Sequence, residues 1–138
     1  MESALQKITT FIQQHHVMSL ATCNEDEVSA CSVFYVYDVD TQRFVFASAE
    51  ETLHVKHFYH NPHVAGNIFL ETKNVGEIRG LQIKGTVEQL HRPHLKTLYF
   101  KAYPYAKLLQ PQLWELEVKQ FKFTDNRLGF GKKIIWPQ

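Results

Sequence analysis

The sequence predicts a mainly β domain: an antiparallel barrel of six to seven strands with about three short helices at its periphery. Two observations point there. Aromatic residues make up 13% of the chain, with ten Phe and six Tyr, and such side chains suit a pleated, half-buried surface. Long runs such as SACSVFYVYD (29–38) and EIRGLQIKGTVEQL (77–90) are bounded by short polar turns, as strands of a meander are. At 138 residues and 44% hydrophobic content, the chain fits one domain, 1–138, with one real core.

The elements follow in order. Ser3 and Gln6 make a capping-box pattern, and Leu5, Ile8 and Ile12 fall at helical spacing, so residues 3 to about 14 read as an amphipathic helix. Strands are expected over 18–23, 29–38 and 43–48. Ser48 with Glu51 reads as a second capping box, opening a helix that Asn61-Pro62 stops. Its first turn holds Glu50 and Glu51, its end Lys56, His57 and His60, and its apolar face Val55, Phe58 and Tyr59. Residues 64–70 form a strand. In the 77–90 strand Leu81, Ile83 and Val87 share a face, while Gly80 and Gly85 mark bulges or a close approach. Pro93 suits the first turn of a third helix, which Pro104 ends. In the last strand Trp114, Leu116 and Val118 have one parity and Phe121 and Phe123 the other, which places a bulge near Lys119–Gln120.

Composition excludes several function classes. A net charge of +1 lacks the basic bias of a nucleic-acid binder. Two cysteines, Cys23 and Cys31, are too few for a disulfide framework and read as reduced, buried strand residues. No signal-peptide core or span of transmembrane length is present, so the expectation is a cytoplasmic protein without a membrane partner. There is no G-x-S-x-G elbow for a serine nucleophile. His54, His57, His60 and His63 recur every three residues, not at the i, i+4 spacing of a zinc helix, and are expected to be surface or helix-end histidines with no metal.

The segment FVFASAEETLHVKHFYHNPHV (44–64) resembles a signature of the pyridoxamine-phosphate-oxidase-like FMN-binding split barrels. In that superfamily a strand ends in a hydroxyl pair. A Ser/Thr-Arg-Lys triplet then opens a helix that closes on Asn-Pro or Asp-Pro. Here the strand end is Ala47-Ser48, the triplet position reads Thr52-Leu53-His54, and Asn61-Pro62 closes the helix. IRGLQIKGTVE (78–88) looks like the superfamily's next strand, and FTDNRLGFGKKIIW (123–136) closely resembles the ending of its YhbP subfamily. The resemblance implies a split barrel that holds FMN at the interface of a homodimer. Ser48, Thr52 and His54, with Ala47 and Leu53 around them, would then face the phosphate. Ser32, Val33, Phe34 and Tyr35 would be the strand on which the isoalloxazine rests.

A flavin phosphate needs hydroxyl and backbone donors and a cation. Ser48 and Thr52, four apart on one helical face, offer hydroxyls, His54 a donor, and Arg79 and Lys84 are the candidate further cations. A plain helix cap at Ser48 is the bland reading. Carboxylates of Glu50 or Glu51 at about 4 Å would oppose a phosphate by about 1–4 kcal/mol, and Leu53 removes a bidentate cation, so binding weaker than in a standard member is expected. True oxidases of the family carry an Arg-Leu-His-Asp-Arg run where this chain has Arg127-Leu128-Gly129-Phe130-Gly131. Gly80 stands for a glutamine and Thr124 for a tryptophan. The resemblance therefore implies a flavoprotein, an FMN-dependent oxidoreductase acting on a small redox substrate, but not the oxidase itself. Gly129 and Gly131 would leave room over the flavin for a flat substrate, and Lys132 and Lys133 are further candidates for the cofactor. The alternatives are a non-catalytic flavin or haem module, with His57 or His60 as axial ligand, and an interaction protein without cofactor.

Overall fold

The computed structural model describes residues 2–138. Its helices are α1 (Ala4–Gln13), α2 (Leu53–His60) and α3 (Pro93–Ala102). Its strands are β1 (Val17–Asn24), β2 (Glu27–Asp38), β3 (Arg43–Ala47), β4 (His63–Phe69), β5 (Arg79–Gln89), β6 (Leu113–Asp125) and β7 (Lys133–Trp136). All pairings are antiparallel, in the order β3-β2-β1-β4-β5-β6-β7, and a further β3–β6 pairing closes the sheet into a barrel. Among the described residues no helix is long and apolar enough to cross a membrane.

Alternation builds the barrel wall. Inward residues of β1 and β4, Met18, Leu20, Val64 and Ile68, are buried, as are Leu81, Ile83 and Val87 of β5. Phe44, Phe46, Phe121 and Trp114 are the largest fully buried aromatic side chains. The α1 capping box forms as read, with the Ser3 hydroxyl accepting from the Gln6 N–H and the Gln6 side chain accepting from the Ser3 N–H. Ile8, Phe11 and Ile12 of α1 join the core.

The bulge falls where the parity slip puts it. Lys84 pairs with Gln120 but Gly85 with Val118, leaving Lys119 as the extra residue. A Cβ on Gly85 would sit 2.2 Å from the Glu117 carbonyl oxygen, so only glycine fits the approach there. Gly80 differs from the expectation: a Cβ there would meet nothing nearer than 3.9 Å, and neither bulge nor crowding explains it.

The seventh of the expected six to seven strands is formed by residues 133–136, so the strand count stands as expected. Other expectations are corrected. α2 starts at Leu53, not Ser48; its N-cap is Thr52, and no side chain caps it. There is thus no Ser48–Glu51 capping box, and Glu50 and Glu51 precede the helix. Its buried face is Val55, His57 and Phe58, whereas Tyr59 is 59% exposed. Cys23 and Cys31 are free and lie on β1 and β2, but both are half-buried rather than buried.

Gly85→Ala should cost about 1–3 kcal/mol of stability, as overpacking does, while Gly80→Ala stays within about 0.5 kcal/mol. Denaturant unfolding of the two variants measures both, and equal losses would contradict the bulge geometry.

Candidate functional site

β3 delivers Ser48 to the site. The β3–β6 ladder runs from Arg43↔Glu117 to Ala47↔Leu113, and Ser48 continues it by donating its N–H to the Gln112 carbonyl at 3.1 Å. The Trp114 indole N–H, 3.0 Å away, donates to the Ser48 carbonyl. With both backbone groups tied, the hydroxyl has a fixed origin. The β2–β3 register has Tyr35 opposite Phe46, so Ser48 lies just beyond the paired region, alongside β2 near Val33 and Phe34.

α2 delivers the other two groups. The Ser48 Oγ lies 2.7 Å from the His54 Nε2, and the Thr52 Oγ1 lies 3.5 Å from that same nitrogen. Thr52 donates its hydroxyl to the Ala49 carbonyl at 2.7 Å and its N–H to the same oxygen at 3.1 Å. This tight turn, not a helical turn, brings Ser48 and Thr52 together. Because no side chain caps α2, its first-turn N–H groups point out of the helix beside this cluster, where the helix end is also electropositive. Two hydroxyls, an imidazole and a helix N-terminus therefore share one half-buried spot.

The neighbouring carboxylates are diverted. Both Glu50 oxygens accept from the Tyr59 hydroxyl, at 2.8 and 2.9 Å, which turns that charge along the outside of α2. The Tyr59 phenol is held above its usual range by this bond. Glu51 is exposed. His54 is held below the ordinary histidine range, first by burial and then by the charge of His57.

The remaining predicted residues are spread over the molecule. Ala47 is half-buried beside Ser48, and Leu53 is 44% exposed at the start of α2. Val33 and Tyr35 point into the core, whereas Ser32 and Phe34 face outward. Phe34 stacks on His16 with centroids 5.7 Å apart and meets Tyr103 edge-on at 6.1 Å. Arg79 opens β5 opposite Asp125, at the other end of β6 from Leu113 and hence about 40 Å of strand from Ser48. Its guanidinium lies over the Phe11 ring at 5.9 Å. Within one chain Arg79 therefore cannot join the Ser48 group. The same holds for the turn carrying Gly129 and Gly131, whose φ values are +133° and +70°, and for Lys132 and Lys133 after it. Lys84 faces outward from mid-β5, opposite Ala65. It lines a groove of about 460 Å³ with Ala21, Cys23, Val28 and Ala65.

Two features escaped the sequence reading. His57 is no surface histidine: it is 2% exposed, with its Nδ1 2.7 Å from the Thr22 Oγ1 and its Nε2 2.9 Å from Glu27. Only the inward parity of Thr22 in an otherwise apolar row hinted at a polar partner inside. Glu115, 1% exposed, is paired with Arg43 and Arg92. A carboxylate buried among aromatic strand residues needs such cations. With His91 and Glu88 it makes the one cluster of metal-ligand type among the described residues, but the two guanidiniums already neutralise it.

Residues 4–125 match the family described as pyridoxamine 5'-phosphate oxidase. The chain belongs to that family. A UPF0306 protein of Klebsiella pneumoniae is 37% identical over 96% of this chain and 92% of its own length. The UPF0306 protein YhbP of Escherichia fergusonii is 33% identical with the same coverage. These relatives place the chain in the YhbP-like branch of the family. Among solved structures, a haem-binding protein of Mycobacterium smegmatis superposes with a TM-score of 0.80 at 19% identity, over 98% of this chain and 58% of that protein. An FAD-binding protein of Mesorhizobium loti gives 0.71 at 15% identity, over 88% of this chain and 91% of that one. At these identities the superpositions show the split-barrel fold alone.

The lowered His54 value makes a stability prediction. A histidine whose folded-state affinity for protons lies below its unfolded one destabilises the fold as it charges, so its stabilising contribution is complete above the unfolded value of about 6.5 and fades as pH falls through the lower folded one. The His54→Gln variant should therefore lose less stability than the native chain between about pH 7.5 and about pH 5. Urea midpoints at both pH values decide it, and identical losses would contradict the burial of the imidazole.

Proposed function

We propose that the protein is an FMN-binding flavoprotein that works as a homodimer, with the flavin phosphate held by Ser48, Thr52, His54 and the first turn of α2. The observation that carries this reading is the convergence of those three side chains at an uncapped helix start. A phosphate monoester is the ligand such a set suits, because it takes hydroxyl, imidazole and backbone N–H donors at once. Val33 and Phe34 of β2 run beside the cluster, in keeping with a ring-side strand there. Bound FMN would supply hydride or electron transfer for a small redox substrate. The family's usual triplet arginine is absent at Leu53, and Glu50 is turned away by Tyr59, so neither cation nor anion dominates the spot.

His54 then carries the charge balance. It is neutral in the free protein near neutral pH, by virtue of its burial and of His57. A dianionic phosphate beside it favours the protonated ring, so binding takes up a proton. FMN affinity should rise as pH falls from about 8 toward about 6.5, before the phosphate itself protonates near about 6. His54→Ala should abolish this slope and weaken FMN by about tenfold, the scale of one charge-assisted hydrogen bond. Fluorescence titration with FMN at several pH values tests both; an unchanged affinity in the variant would remove His54 from the site.

The second copy is assigned to the outer face of β2, β1, β4 and β5. There Ala21, Ala30, Ala65, Phe34 and Phe69 are exposed, around the groove that Lys84 lines. α3 packs on Val36 at one side of this surface; the small and aromatic side chains beyond it are what an interface presents. A partner chain would also offer its own Arg79 and tail to a flavin, which this chain's own copies cannot reach. Sedimentation of the native protein should give a dimer and Ala65→Glu a monomer. A monomeric native protein would contradict the assignment.

Haem is the second reading, because the superposing Mycobacterium smegmatis protein binds it. Of the two axial candidates, His57 already has both ring nitrogens bonded, which leaves His60, exposed at the end of α2. A Soret band on haem addition that His60→Ala removes would favour it over the flavin.

A further inference from the structure

We propose that His57 is a positioning residue: the Glu27–His57–Thr22 clamp, anchored in the β1–β2 hairpin, holds His54 and the open end of α2 in place for the anion they receive. The proposal rests on the phosphate-site reading above for its ligand, but the clamp itself is a matter of this chain's geometry.

α2 has eight residues and no side-chain cap. A helix so short is marginal by itself, so tertiary ties must fix it. Val55 and Phe58 tie it through apolar contact, which is strong but undirected. His57 is its directed tie. The ring is 2% exposed, and each nitrogen has one partner on a different strand: Nδ1 meets Thr22 of β1 at 2.7 Å, and Nε2 meets Glu27 of β2 at 2.9 Å. Thr22 is itself 3% exposed, on the inward row of β1 below Met18 and Leu20. Two bonds to two strands fix both the height and the rotation of the helix. His54 lies three residues earlier, one turn along the same side, so the rotation that His57 sets is the one that aims His54 at Ser48.

The clamp is satisfied in either protonation state. In the neutral ring the Thr22 hydroxyl donates to Nδ1 while Nε2–H donates to Glu27; in the charged ring both nitrogens donate and Thr22 accepts. The groups facing His57 are thus Thr22 and Glu27, and those facing His54 are Ser48, Thr52 and the Phe58 ring edge. The clamp therefore positions the helix without itself being a switch. Its charge acts on His54 as a like neighbour.

The test compares His57→Phe, which fills the space but makes neither bond, with His57→Gln, whose carbonyl can accept from Thr22 and whose amide can donate to Glu27. FMN should bind the Phe variant about tenfold more weakly and the Gln variant within about threefold of native, in line with the cost of losing an orienting partner at other bound groups. In the FMN-free protein, the amide resonances of Ser48, Thr52 and His54 should move in the Phe variant and stay near native in the Gln variant. The His54 titration midpoint should rise in both, because a like charge is gone. If His57→Phe does not fold, Glu27→Ala, at a side chain 60% exposed, takes its place, with the same amide shifts at smaller size. A His57→Phe protein with native amide positions and native FMN affinity overturns the proposal, as does a Gln variant that fails as badly as Phe. Should the native protein bind no FMN, the phosphate reading falls, and the amide shifts alone decide the clamp.

Discussion

The structure depends on the double use of β6. One side of this thirteen-residue strand is bonded along its length to β5, and the other is divided between β3 for its first part and β7 for its last. The β3 pairing closes the sheet. It also ends at Ala47↔Leu113, which is why Ser48 is held by Gln112 and Trp114 and nothing else in the ladder. Closure and site are therefore one constraint: the barrel shuts at the residue where the candidate phosphate group begins. The Lys119 bulge sits between the β3-bonded and β7-bonded parts of β6, and the added twist of a bulge lets one strand serve two neighbours that lie on different parts of the wall.

The site's electrostatics are those of a weak, adjustable anion receiver. It has no guanidinium, its imidazole is discouraged from charging, and its nearest carboxylate is drawn off by a tyrosine. Backbone N–H groups at a helix start supply the fixed part of the field. If the site takes a phosphate as proposed, it would hold it mainly through hydrogen bonds and gain its cation only when the ligand arrives. Under the proposed reading, Leu53 and His54, which stand where the resemblance expects arginine and lysine, would make a flavin phosphate held less firmly.

Much of this was legible in the residues. Alternation and parity gave the strands, and the slip between Val118 and Phe121 gave the bulge, because a period of two leaves no other way to bury both sets. Ser3 and Gln6 gave the first cap. Ser48 and Glu51 have capping-box spacing, but the Ser48 carbonyl accepts from the Trp114 indole and its hydroxyl meets the His54 ring, so neither serves a helix start and α2 begins after Thr52. The role of His57 was hidden for another reason: a histidine repeat every three residues looks like a solvated face, and only the three-dimensional meeting with Thr22 and Glu27, about thirty residues upstream, shows it to be internal. Residue spacing alone does not show strand order, so Arg79 reads as a candidate cation for Ser48; the register along β6 sets the two at opposite ends.

A crystal structure of the protein soaked or grown with FMN tests the central claim most directly. The account predicts phosphate oxygens within hydrogen-bond reach of the Ser48 and Thr52 hydroxyls, the His54 Nε2 and the first-turn N–H groups of α2, with the ring system along β2. A flavin whose phosphate lies elsewhere, or a Ser48–Thr52–His54 cluster that keeps its internal bonds while FMN occupies another cleft, would contradict it.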